Sequence, residues 1–193
     1  VIFAWVVLVA ASIALVLMLA TQCDAAVVLR SEPAVPEWSR LGRLAIRFMA
    51  RRPGGEARVR HPDDRRFYRQ LAAWAWIHTR ETDIPPEVVL AVAFHESSWK
   101  PWVVGSAGEI GLMQLHGRRA WMSFDPETLL RQPVLNVWAG VQHLRRSYAQ
   151  CGSLRRGLIQ YASGSCAPRG RRARRAEYAA DLVLRWADSM RVD

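Results

Sequence analysis

Lysine is nearly missing from this chain of 193 residues. Lys100 is the only one, so the formal net charge of +10 is carried by arginine. Such an excess fits an anionic surface or polymer as surroundings, and it fits equally the arginine-rich coding of a GC-rich genome. A basic segment alone is thin ground for nucleic-acid binding, and no nucleic acid is expected as a partner. The five histidines, His61, His78, His95, His116 and His143, show no metal-ligand spacing, so neither a metal nor a cofactor is expected. Long runs of alternating apolar and polar residues are absent, which argues against a sheet-built core. No internal repeat is present either. The length suits one domain with attachments.

Charge is missing altogether from Val1 to Ala20. As a helix, a run of that length crosses the roughly 30 Å hydrocarbon layer of a bilayer. The run has no polar face, as a core helix of a soluble domain would have. Residues 1–22 are therefore expected to be a transmembrane anchor. A cleaved signal segment is the competing reading, set back by the lack of basic residues before the run and of a good A-x-A site after it. Gln22 is a poor fit for the small residue that precedes a lipid-modified cysteine, which sets Cys23 aside. Arginines follow the run, and the positive-inside rule alone would keep the remainder in the cytoplasm; large domains nonetheless cross despite such charges. The side of the membrane is thus left to the chemistry of the domain.

Cysteine is scarce: Cys23 lies at the membrane edge, with Cys151 and Cys166 in the folded part. In an oxidising compartment a bridge between the last two would contribute about 3 kcal/mol in the chain-entropy account. Two free buried thiols are the other reading.

After the apolar run, residues 23–62 mix prolines, a Gly-Gly pair and many arginines, and they read as a basic linker. Within it "WSRLGRLAIRFMARR" spaces Trp38, Leu41, Leu44, Ile46 and Phe48 as an amphipathic basic helix would, suited to anionic headgroups or to solvent. The compact part is expected over residues 63–193. "DDRRFYRQLAAWAWIHTRE" predicts a helix with Phe67, Leu71, Trp74 and Ile77 on its buried stripe. "TDIPPEVVLAVAFHESSW" predicts a second, opened by Pro85-Pro86 with Glu87 in its first turn. Further helices are expected in "FDPETLLRQ", "PVLNVWAGVQHLRRSYAQ", "SLRRGLIQYA" and "RRAEYAADLVLRWADSM". The predicted class is all-α.

The second of these helices carries the chemistry. "AFHESSW" starts like the H-E-x-x-H helix of zinc proteases, but Trp99 stands where the second histidine belongs. Glu96 instead falls at i+8 from Val88 and i+4 from Val92, so its carboxyl group continues an apolar stripe. A carboxyl partly withdrawn from water keeps its proton more readily, as a general acid must. A capping glutamate at a helix end is the plain alternative. His95, about 100° further round, reads as a rim or core residue.

Fifteen positions beyond Glu96 stands "GLMQ", Gly111 to Gln114. The stretch "ESSWKPWVVGSAGEIGLMQL" resembles the SLT-type lytic transglycosylase domain of the goose-lysozyme-like superfamily. That family reads roughly E-S-x-F-x-P, three residues, then S-x-x-G-A-x-G-L-M-Q. Glu96-Ser97, Trp99, Pro101, Gly108 and Gly111 to Gln114 fall in register. Asn136 and Gly140 resemble the family's N-x-x-x-G helix, Tyr161 its Y-N-A-G, and Glu177-Tyr178 its closing E-x-Y-V helix. The resemblance covers about residues 65 to 190.

The resemblance implies a lysozyme-like helical domain acting on peptidoglycan glycan strands. Glycosidases of the common kinds need two flanking carboxylates, whereas lytic transglycosylases manage with one. Glu96 would protonate the glycosidic oxygen between N-acetylmuramic acid and N-acetylglucosamine. It would then accept the proton of the muramyl C6 hydroxyl as that oxygen closes on C1, giving a 1,6-anhydro sugar without consuming water. By the same resemblance Ser97 would bond near the carboxylate or substrate, and Gly108 and Gly111 would let backbone approach the sugars. Met113 and Gln114 would line the cleft, and Tyr161 would place its hydroxyl near Glu96. A helix-end cap, turn glycines, a core methionine and a buried structural tyrosine are the structural alternatives for these positions.

Three departures stand out: Gly105 replaces the family serine beside Ser106, Glu109 a small residue, and Ala162 an asparagine. They keep two rivals open, a hydrolytic muramidase using Glu109 and a non-catalytic peptidoglycan-binding component of an envelope-spanning assembly. The arginines of "RGRRARR" would meet stem-peptide carboxylates, anionic wall polymers or only solvent. The expected setting is the cell envelope, with an inner-membrane anchor and a periplasmic domain, or secretion if the first segment is removed.

Overall fold

Proline punctuates the fold, standing at the start of five helices where its missing N–H has no intrahelical partner to lose. The computed structural model describes residues 36–116 and 124–191. The chain divides into two compact units, residues 1–37 and 38–193, and the described residues lie in the second apart from Pro36 and Glu37. In order the elements are α1 (Pro36–Ala50), α2 (Gly55–Arg60), α3 (Pro62–Thr79), α4 (Pro86–Ser97), β1 (Glu109–Ile110), β2 (Leu115–His116), α5 (Pro126–Arg131), α6 (Pro133–Cys151), α7 (Leu154–Ser163) and α8 (Gly170–Ser189). The domain is mostly helical. Where no strand pattern was expected, a short antiparallel hairpin pairs Glu109 with His116 and Ile110 with Leu115. Two-residue strands are too short to leave a period-two signature.

The core is organised around α4. Six consecutive residues, Val88 to Ala93, are buried whichever way they point. This helix therefore lacks the single apolar stripe that the Val88–Val92 spacing predicts; it is enclosed on all sides through its middle and sheds its cover toward its ends. Helices α3, α6 and α8 pack against it, and α6, α7 and α8 follow one another as packed neighbours. The buried face of α3 runs through Tyr68, Leu71, Ala72, Ala75 and Thr79. The expected Phe67, Trp74 and Ile77 lie at its edges, Ile77 exposed. Alanines let this face approach its neighbours closely, and the larger side chains flank the contact.

The compact unit starts at Trp38, ahead of the boundary expected at residue 63. Helix α1, anticipated as part of a linker or on a lipid surface, buries Leu41, Leu44, Ala45, Phe48 and Met49. Phe48 meets Phe94 edge-on at 5.0 Å and lies 5.6 Å from Trp99 and 6.1 Å from Trp186. Arg52 caps this aromatic cluster, its guanidinium 4.0 Å from the Phe48 ring centre. Burial holds the Arg52 pKa below the ordinary guanidinium value.

Cys151, at the end of α6, is disulfide-bonded to Cys166 in the segment between α7 and α8. The expected transmembrane segment, residues 1–22, lies outside the described residues. Among the described residues no helix is long and apolar enough to cross a membrane.

Candidate active site

Helix α4 ends at Ser97, one residue beyond Glu96, and that ending sets the site. Ser98 and Trp99 both take left-handed backbone conformations, at φ 53° and 60°, which cost non-glycine residues about 1–2 kcal/mol each. Trp99 holds the turn in place. Its ring is buried, and its indole Nε1 donates to the Leu90 carbonyl at 2.8 Å. Glu96 thus sits where the enclosed helix reaches the surface, with its side chain 23% exposed. His95 is its neighbour in space as well as in sequence. Their side chains converge, His95 Nδ1 lying 3.5 Å from Glu96 Oε1. The ring of His95 also leans on Trp186, at 6.2 Å between centres.

The opposing side is built from the hairpin and the helices behind it. Gly111, at φ 73°, turns the chain between the strands. Asn136 of α6, fully buried, holds that turn with both ends of its amide. Its Oδ1 accepts from the Met113 N–H at 2.8 Å, and its Nδ2 donates to the Ile110 carbonyl at 2.9 Å. A Cβ on Gly111 would stand 2.6 Å from Asn136 Nδ2, so a glycine is required there by space as well as by φ. One turn on, Gly140 makes room for Met113, whose side chain would overlap any Cβ at that position. The carbonyl of Met113 accepts the hydroxyl of Tyr161 from α7 at 2.6 Å. The Tyr161 ring lies 4.7 Å from that of His143 on α6.

Gln114 also stands in a left-handed conformation, φ 43°, and its Nε2 donates to the carbonyls of Val103 and Gly111 at 3.1 and 3.0 Å. Glu109 folds back on its own loop, where Oε2 accepts from the Ala107 N–H at 3.0 Å and Oε1 lies 3.6 Å from His116 Nε2. A Cβ on Gly105 would overlap the Glu109 carboxylate and come within 2.8 Å of Gln114 Oε1. The two departures are therefore linked, since Glu109 occupies space that a side chain at position 105 would need.

Between these sides runs a groove of about 680 Å³, lined by Glu96, Glu109, Gln114, His143 and Tyr161 and, along α8, by arginines. Arg155 of α7 ties α8 in place through two hydrogen bonds to Asp181, at 2.7 and 3.0 Å. They hold the Asp181 carboxyl below its usual range. Of the residues expected at the groove, Glu96, Gln114 and Tyr161 face it, and Gly108 is not among those that line it. Ser97 does not face it either; its buried hydroxyl donates back to the Ala93 carbonyl at 2.9 Å. Gly111 and Met113 support the groove from behind, and Met113 is a core side chain with no exposed surface. Asn136 and His143 were not foreseen as parts of the site. The signal was available, because Asn136, Gly140 and His143 fall on one face of α6 together with Val137, Val141 and Leu144, and a buried amide there needs partners. Among the described residues no group of three or more His, Cys, Asp or Glu could hold a metal ion.

The fold is a mostly helical domain that opens a partly buried carboxylate onto a groove with charged and polar lining. Residues 76–183 match the model of the Transglycosylase SLT domain family, and the chain belongs to that family, which is a transglycosylase and peptidoglycan-degrading one. No curated protein and no solved structure matches the chain.

Proposed function

We propose that this domain is a peptidoglycan lytic transglycosylase in which Glu96 is the single acid and base. The observation that carries the reading is the position of Glu96, half-withdrawn from water at the exit of an enclosed helix and open to the groove. Glu96 first donates its proton to the glycosidic oxygen between N-acetylmuramic acid and N-acetylglucosamine, so the leaving sugar departs neutral. The muramyl C6 hydroxyl then bonds to C1 and returns its proton to Glu96. Because the nucleophile belongs to the reacting sugar, proximity replaces a positioned water. Gln114 and Tyr161 shape the groove beside this centre, with Tyr161 held by the Met113 carbonyl.

Glu96→Gln keeps the shape of the side chain and removes the acid. It should lower release of muropeptides from purified peptidoglycan by about 10²–10⁴-fold with little change in thermal stability. Product masses decide the chemistry, since anhydro products are lighter by one water than hydrolytic ones. Cleavage at the unaltered rate in Glu96→Gln would remove Glu96 from the mechanism.

One observation favours a second reading. Glu109 brings a second carboxylate to the lining of the same groove, and a hydrolytic muramidase works with two. Under that reading the products carry reducing ends and Glu109→Gln abolishes them. A chain that binds sacculi and releases neither product would be a non-catalytic component of an envelope assembly. We further propose that residues 1–22 anchor the domain to the inner membrane with the domain on the periplasmic side, where its substrate lies; protease protection in spheroplasts tests the side.

A further inference from the structure

The groove holds a charge that the proposed chemistry does not use. Arg171, Arg172 and Arg175, from the first two turns of α8, line it. All three are exposed, and among the described residues none of them forms an ion pair. The acids within reach of an easy explanation are engaged elsewhere. Asp181 of α8 is bound by Arg155, Glu96 stands beside His95, and Glu109 beside His116.

The arrangement works against the helix that carries it. Arg171 and Arg175 are like charges one turn apart, which repel. No acidic residue occupies the first turn of α8, so the cations meet the positive end of the helix dipole unrelieved. The helix also sorts the arginine run, turning 171, 172 and 175 to the groove together with Ala176 and Ala179. These two alanines are buried and small, and they leave the wall open between the guanidinium groups.

We propose that Arg171, Arg172 and Arg175 form a carboxylate-binding wall that holds anionic groups of the glycan strand while Glu96 acts on its sugar backbone. This rests on the peptidoglycan-cleaving reading given above. A guanidinium fork matches a carboxylate with two parallel N–H donors, and a lysine would not. Muramyl residues offer that chemistry from two sources, the lactyl carboxyl itself when bare and the carboxyls of an attached stem peptide.

The test measures binding apart from cleavage. The full chain carrying Glu96→Gln is cosedimented with sacculi in three forms: intact, stripped of stem peptides by amidase, and treated with carbodiimide and ammonia so that carboxylates become amides. Adding Arg171→Gln, Arg172→Gln and Arg175→Gln should raise Kd about tenfold on intact sacculi. On amidated sacculi the same three changes should do nothing, because the partner charge is gone. Amidase bares the lactyl carboxylate as it removes the stem, so an arginine effect that grows on stripped sacculi assigns the lactyl carboxylate, and one that vanishes there assigns the stem. Removing three exposed arginines of α3, Arg65, Arg66 and Arg69, controls for net charge and should leave Kd unchanged. The proposal is overturned if the α8 changes leave Kd unchanged on both intact and stripped sacculi, if they weaken binding equally on amidated sacculi, or if the α3 control matches them. Failure of the unaltered chain to release any muropeptide would remove the lyase reading without touching this comparison.

Discussion

Replacing Asn136 by alanine takes away the two hydrogen bonds that hold the groove-lining turn, and the cost can be worked out from the partners left behind. The Met113 N–H loses its acceptor and the Ile110 carbonyl its donor, both at residues with almost no exposed surface. An orphaned buried polar group costs about 1–3 kcal/mol. Ile110 lies nearer the surface, and its carbonyl can turn to water more easily than the Met113 amide can. We therefore expect a loss of about 3 kcal/mol, which lowers Tm by roughly 6–12 °C in a domain of this size. Urea unfolding measures it, as a shifted midpoint at constant m-value. A double-mutant cycle with Gly111→Ala sharpens the test. Alone, Gly111→Ala suffers both the left-handed backbone, φ 73°, and a Cβ only 2.6 Å from Asn136 Nδ2. With Asn136→Ala already present the overlap disappears and only the backbone strain remains. The double variant should then be more stable than the sum of the single losses by about 1–2 kcal/mol, within the range of coupled neighbours. A single loss below about 1 kcal/mol, or additivity within roughly 0.5 kcal/mol, would refute the clasp.

Gly140→Ala should destabilise by about 1–3 kcal/mol as Met113 is displaced, and it should slow muropeptide release as well, because Tyr161 hangs on the Met113 carbonyl. Replacing Cys151 and Cys166 together by serine should lower stability by about 3 kcal/mol, read from urea midpoints, and the variant should no longer respond to reductant. His78 has a buried Nε2 without a hydrogen-bond partner, and burial holds its pKa below the usual imidazole value of about 6.5. The unfolded chain therefore takes up that proton first, and stability should fall as pH drops from about 6.5 toward the folded-state value. His78→Leu should flatten the slope of unfolding free energy between about pH 5 and 7; an unchanged slope would assign the dependence to other groups.

The order and punctuation of the other helices were legible because each depends on local chemistry, whereas the six-residue α2 (Gly55–Arg60) fell in a stretch read as linker. Asp125 accepts from the Glu127 and Thr128 amides at the start of α5, as an Asp-Pro start predicts, and Gly152 ends α6 at φ 75°. What covers a face was not legible. Helix α1 has the pattern of a surface-seeking amphipathic helix, and nothing local reveals that aromatic rings from α4 and α8 receive Phe48. For α3 the pattern located the helix but placed its buried face too far toward the large side chains, since close packing favoured alanine. At the site, the spacing from Glu96 to Gly111–Gln114 was legible as a family pattern, yet it did not distinguish residues that face the groove from residues that hold it. Gln114 does the first and Met113 the second, because the left-handed turn at Gln114 sends neighbouring side chains to opposite sides.

The departures at positions 105 and 109 gain a meaning that neither has alone. Taken singly, Gly105 is a lost side chain and Glu109 an intrusive charge, and each would count against an intact site. In space they exchange places: the carboxylate of Glu109 fills the volume that a side chain at 105 would require. A serine restored at 105 would drive out Glu109, breaking its bond from the Ala107 amide and its approach to His116. It follows that Gly105→Ser should harm the site when Glu109 is present and be tolerated when Glu109→Ala accompanies it. Muropeptide release by the two variants, measured side by side, tests this. Equal damage in both backgrounds would mean that the pair is coincidence and that position 105 acts through Gln114, whose amide oxygen lies 2.8 Å from where the new Cβ would stand.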